Sequence, residues 1–176
     1  MAPAVLVPND QAKRPMSERA TTDAPSTPPP AGKPPARVVV RWKGTGTMAF
    51  EGRKAKGGPT ITIDNTGKAE PGPVDTLLIA LAACTTEDVL TILEKRRTPA
   101  TQLQIEVEGK RAHATPARLT HVHLRYLVDG EGIDRANTLR AIELAVTKYC
   151  SVRDSLDKSI LIDWSLVLNG QGDGEV

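Results

Sequence analysis

Aromatic side chains are scarce in this chain, with Phe, Trp and Tyr together making up 3% of its 176 residues. That scarcity argues against stacking platforms for bases or sugars. Charge of one sign is lacking too: 23 Lys and Arg stand against 21 Asp and Glu, a formal net charge of +2. The basic cluster KRR at 95–97 is too short for a polybasic site. With two cysteines, Cys84 and Cys150, there is no dense disulfide framework of the kind that holds small secreted scaffolds together. The opening residues MAPAVLVPND carry no cationic n-region, and their apolar run is too short for a secretory signal. No unbroken run approaches the roughly 20 apolar residues that span a bilayer. These absences lead us to expect a soluble, cytoplasmic protein with reduced thiols, and neither nucleic acid nor membrane as partner.

What is present, 39% hydrophobic content, suffices for one good core. Residues 1–36 include TTDAPSTPPPAGKPPA, nearly empty of large apolar side chains, and read as a disordered Pro-rich tail. A folded domain is expected over 37–170, with a short polar C-terminal tail at 171–176. In the first strand Val38, Val40 and Trp42 alternate with polar neighbours, the mark of a half-buried strand. GTGTMAFEGRKAKGGP follows as a glycine-punctuated hairpin region, and Ile61 and Ile63 mark another strand. Pro71-Gly72-Pro73 opens a helix running from about Val74 to Arg97. Its first half is apolar nearly all round, so other elements should surround it, whereas TTEDVLTILEKRR is amphipathic.

Beyond that helix, Leu103, Ile105 and Val107 alternate with Gln104, Glu106 and Glu108, and Val122, Leu124, Tyr126 and Val128 repeat the pattern. The two stretches predict an antiparallel hairpin around AHATPA. A second amphipathic helix is expected from Ile133 to Tyr149, and a last strand with Ile160, Ile162, Trp164, Leu166 and Leu168 on one face. The order β-β-(β)-α-β-β-α-β argues an α+β fold, helices packed on an antiparallel sheet.

Three groups of residues invite a chemical reading. His121 and His123 share a strand face with Arg125; without CxxC or HxxxH spacing they read as a solvated face rather than zinc ligands. Asp64, Asn65 and Gly67 lack the bidentate Glu of a calcium loop and read as a turn. The cysteines are the third group. A cysteine inside a helix is usually a small core hydrophobe, but Cys84 shares its stripe with Leu77, Leu81 and Asp88, an acid one turn away. Cys150 lies between Lys148 and Arg153, a locally cationic spot of the kind that favours a thiolate.

Together the runs GPVDTLLIALAACTTEDVLTILEKRR, GKR at 109–111 and AIELAVTKYCSVRDSL resemble the OsmC/Ohr family of thiol-dependent hydroperoxide reductases, in its OsmC-like branch, over roughly Val38 to Leu168. The resemblance implies an intertwined homodimer, the sheet wrapped around a central helix, with sites at the subunit interface. It implies that Cys84 attacks an organic hydroperoxide and becomes a sulfenic acid, and that Cys150 resolves it as a disulfide reduced by an external dithiol such as a lipoyl protein. No metal or organic cofactor is needed. Leu77, Leu78 and Leu81 would suit the alkyl part of the substrate. The family's peroxidases also use an arginine from the N-terminal strand region, held by a carboxylate just before the cysteine helix. Asp75 stands at that carboxylate's place; Ala49 occupies the place before Phe50 where an arginine is often found, leaving Arg53, Arg41 and Arg111 as candidates. A non-catalytic redox-sensing or small-ligand-binding member of the same fold is the alternative.

Overall fold

The computed structural model describes residues 33–172. The expected tail, residues 1–36, therefore falls almost wholly outside the described residues, as does most of 171–176. The alternating N-terminal segments form a three-stranded antiparallel meander of β1 (Val38–Trp42), β2 (Ala49–Lys54) and β3 (Ile61–Asp64), in the order β1-β2-β3. Val38 stands opposite Lys54, and Ala49 opposite Asp64. The turn into the next element is built on Asp64, whose carboxylate accepts from the Thr66 amide and hydroxyl (both 2.8 Å) and the Ala69 amide (3.2 Å). These bonds hold its pKa below the ordinary carboxylate value. β1 departs from expectation. Rather than half-buried it is exposed throughout, Val38 at 71% and Trp42 at 50%, because nothing among the described residues covers it.

The central helix α1 (Pro73–Lys95) starts as its sequence dictates, with Pro73 at the first helical position and the Asp75 carboxylate accepting from the Gly72 amide at 2.9 Å. It ends earlier than expected, through Arg97 at φ 63 and a Thr98 amide that reaches back to the Leu93 carbonyl at 3.1 Å. One stripe, Leu81, Thr85, Val89 and Leu93, is buried. By length and composition α1 is apolar enough to cross a bilayer, which a search for an unbroken apolar run misses because Asp75, Thr76 and Thr85 interrupt it. The expectation that its first half is surrounded is not met among the described residues: Leu77 is 38% and Ile79 55% exposed.

The second sheet has the order β4-β5-β6, comprising β4 (Gln102–Arg111), β5 (Leu119–Asp129) and β6 (Leu161–Leu168). Alternation places Val122, Leu124, Tyr126 and Val128 of β5 in the core with Leu166. Gly109 of β4 lets α1 settle close, since a Cβ there would sit 2.9 Å from both Leu78 and Leu119 side-chain carbons. Two corrections apply to the expected antiparallel sheet. There are two small sheets, and β6 runs parallel to β5, His121 opposite Leu161 and Val128 opposite Leu168. The cause is the helical crossover between them, which returns the chain to the end where β5 began.

That crossover is not one helix. α2 (Arg135–Leu144), capped by Asp134, widens into a π-helical turn over Ala145–Tyr149, and α3 (Ser151–Ser155) follows at once. Cys150 is the hinge between them.

Candidate active site

The described structure brings Cys84 and Cys150 together, one from the middle of α1 and the other from the break in the crossover. Their thiols lie near enough for Cys84 to shift the titration of Cys150; both are free, Cys84 half-buried and Cys150 only 3% exposed. The position of Cys150 has two local causes. The π turn closes with a bond from the Cys150 amide to the Ala145 carbonyl at 3.0 Å, and the Cys150 Sγ then caps α3 by accepting from the Arg153 amide at 3.3 Å.

The electrostatics of Cys150 run against expectation. Burial, with the Cys84 thiol as second cause, pushes its pKa up from 9.0 to about 11, against the opposing Arg153 amide. The flanking cations therefore do not make it a thiolate; desolvation wins. Asp88, one turn after Cys84, is also raised, by burial first and by Glu87 second.

Tyr126 completes the cluster from beneath. Its hydroxyl is buried with no well-formed hydrogen-bond partner. The Thr85 hydroxyl lies near enough to influence it but spends its own hydrogen on the Ala82 carbonyl at 3.0 Å. Burial pushes the phenol from 10.0 to about 12, with Cys150 and Asp88 adding to the shift. By its place in the alternating pattern of β5, Tyr126 reads as core alone. The available signal was a tyrosine on an inward strand position, where a hydroxyl needs a partner.

The other expected residues are placed as follows. Asp75 precedes Cys84 by nine positions on α1, half a turn round and about 13 Å along the axis, and its carboxylate is engaged at Gly72. Arg53 Nη1 donates to the Lys54 carbonyl (3.3 Å), Arg111 Nε to the Ala117 carbonyl (2.8 Å), and Arg41 stands opposite Glu51 across β1 and β2. None of these bonds reaches Cys84. Leu78 lines an apolar groove of about 430 Å³ between α1 and β4, together with Ile79, Ala82, Ile105, Val107 and Asp75. Leu77 is on the surface beside it, and Leu81 is fully buried.

A second cavity, of about 290 Å³, has Cys150 in its wall with Lys148, Arg153, Lys158, Ile162 and Trp164. On the far side of the sheet, His121 Nε2 and His123 Nδ1 both bond Asp163 (2.8 and 2.5 Å), and His123 Nε2 meets Ser165 Oγ at 2.9 Å. Those imidazoles are occupied on a partly solvated face, where they hold Asp163 below the ordinary carboxylate pKa.

A family model described as "OsmC-like protein" matches residues 65–165. Protein YhfA of Escherichia coli K12 is 31% identical over 128 residues, covering 73% of this chain and 96% of the relative. Among solved structures, an OsmC-like protein from Mycoplasma pneumoniae superposes with TM-score 0.66 at 16% identity, covering 78% of this chain and 99% of that one. The organic hydroperoxide resistance protein OhrB of Bacillus subtilis gives TM-score 0.53 at 14% identity, over 76% and 98%. At those identities the two structures speak for the fold.

Proposed function

The chain belongs to the OsmC-like family, and from that premise we propose that it is a thiol-dependent peroxidase that reduces organic hydroperoxides to alcohols in oxidative-stress defence. The observation that carries this reading is the pairing of Cys84 and Cys150 as neighbouring free thiols supplied by two separate elements. In the proposed cycle the Cys84 thiolate attacks the outer peroxide oxygen, the O–O bond breaks, and the leaving alkoxide takes a proton to become the alcohol. Asp88, one turn after Cys84, is the proposed relay for that proton. Cys84 is left as a sulfenic acid. Cys150 condenses with it, water leaves, and a disulfide forms. An external thiol reductant restores both thiols; a lipoyl protein is the class that the family resemblance implies.

The apolar groove at Leu78 and the exposed Leu77 and Ile79 favour an alkyl hydroperoxide over hydrogen peroxide. The working form is proposed to be a cytoplasmic homodimer. Val38, Val40, Trp42 and Ile61 of the first sheet and Leu77, Ile79 and Leu90 of α1 are all exposed, apolar positions that a second copy would cover. A dimer would also give Asp75 and one of Arg41, Arg53 or Arg111 a route to the Cys84 of a second copy, which neither the length of α1 nor their own bonds provide within one chain.

That the Arg53 and Arg111 bonds described above go to backbone carbonyls rather than to Cys84 favours the second reading, a redox-sensing member of the fold that forms the disulfide without turnover. Consumption of cumene hydroperoxide in the presence of a dithiol separates them. Sustained turnover supports the peroxidase, and a single stoichiometric oxidation supports the sensor.

A further inference from the structure

We propose that the cavity beside Cys150 is the port by which the reductant reaches the Cys84–Cys150 disulfide, and that it selects a small thiol carrying negative charge near its sulfur. The disulfide itself rests on the peroxidase reading; the charge selection rests on the cavity. Cys150 is in its wall and Cys84 is not. Val146, Ile162 and Trp164 supply apolar sides, while Lys148, Arg153 and Lys158 supply cations. Lys158 is paired with Asp154, a carboxylate that is also in the wall and near enough to Arg153 to feel its charge, so the lining is three cations to one anion. Lys148 and Arg153 have no carboxylate in ion-pair contact among the described residues. Arg153 Nη2 reaches the Ile160 carbonyl at 3.4 Å, but Nη1 is buried with no hydrogen-bond partner. A buried cationic donor without an acceptor is costly, and an anion in the cavity would offset that guanidinium's charge. At about 290 Å³ the space suits a small molecule, at the lower end of ligand cavities.

The chemistry points to the same sulfur. Burial makes Cys150 a reluctant thiolate and hence a poor leaving group, so attack falls on Cys150 and Cys84 departs. A reductant thiolate, its proton given to solvent, bonds to the Cys150 sulfur as the Cys84–Cys150 bond breaks, and Cys84 leaves as a thiolate. A second reductant thiolate attacks the reductant sulfur of that mixed disulfide and releases the Cys150 sulfur, which takes up a proton. Two thiols are oxidised to one disulfide as one protein disulfide is reduced.

The test uses full-length protein oxidised with diamide, so that no peroxide chemistry is required. Mercaptopropionate, mercaptoethanol and cysteamine are compared at equal thiolate concentration, and free protein thiols are counted over time. The expected rate order is anionic, neutral, cationic, with a spread of at least about tenfold at low salt that narrows in high salt. Lys148→Gln should shrink the spread and Lys148→Glu should reverse it; Lys148 is exposed, so both variants should fold. A flat order in wild type, or an order that survives Lys148→Glu, overturns the port. If cumene hydroperoxide leaves the thiols free while the diamide-made disulfide shows the charge order, the peroxidase reading fails and the port stands. If diamide also leaves both thiols free, port and relay fall together.

Discussion

Cys150 is tied to Ala145 by a backbone bond that spans five residues, 3.0 Å from amide to carbonyl. A continuous α-helix would bond the same amide to Val146 instead. The slip of one residue turns position 150 by roughly 100°, and in this setting the sulfur meets Cys84 rather than solvent.

From that meeting follows an asymmetry between the thiols. Cys84→Ser should abolish turnover, at least about a thousandfold in rate. Cys150→Ser should react once with an organic hydroperoxide and stall, gaining oxygen atoms stepwise. Mass spectrometry of the treated proteins reads this directly, wild type losing two hydrogens. Identical behaviour of the two variants would return Cys84 to a packing role.

The exposed apolar surface of α1 leads to an assembly prediction. Wild type should sediment as a dimer at micromolar concentration, and Ile79→Asp, which puts a charge on a 55% exposed position, should shift it to monomer with little change in helix content. A monomeric wild type refutes the shared interface.

Alkaline pH should expose the buried phenol. Because Tyr126 is raised from 10.0 to about 12 in the folded chain, the native state holds that proton more tightly than the unfolded state does. Its stabilising contribution is whole below pH 10 and is lost as pH rises toward 12, about 2 to 3 kcal/mol in all. Cys150, raised from 9.0 to about 11, acts in the same direction slightly earlier. Denaturant midpoints followed through this range should fall less steeply in Tyr126→Phe; equal slopes would show that the phenol does not titrate as a buried group.

Arg97 offers a stabilising change. It holds a left-handed conformation, φ 63, at the position after the helix cap where glycine is preferred, and an L side chain there costs about 1 kcal/mol. Arg97→Gly should raise the melting temperature by several degrees. No rise would mean that the arginine side chain compensates through contacts of its own.

Much of the fold was legible because alternation is a strong signal: Val122, Leu124, Tyr126 and Val128 could face only one way, and they are the buried set. Alternation says nothing of direction, so the parallel run of β6 beside β5 was not legible. Nor was the exposure of Val38 and Trp42, since a strand pattern reports that a face wants cover without saying which chain supplies it. At the site, Cys84 and Cys150 stood out as residues, but their proximity depends on a π turn that no residue pattern announces. The cations beside Cys150 were visible in sequence; that burial would outweigh them was not, because desolvation depends on the whole packed shell.

The crossover that carries Cys150 gives oxidation a mechanical effect. Between Cys84 and Cys150 lie the end of α1, β4, β5 and α2, so a bond between the two sulfurs would cross-link the ends of a loop of about 65 residues and stabilise the folded chain by about 4 kcal/mol through the entropy it removes from the unfolded one. Resistance to proteolysis would then record the redox history of each molecule. A freshly oxidised copy would be hard to cut and a reduced one softer, so the same switch that stores the oxidising equivalents would also set how long the protein lasts.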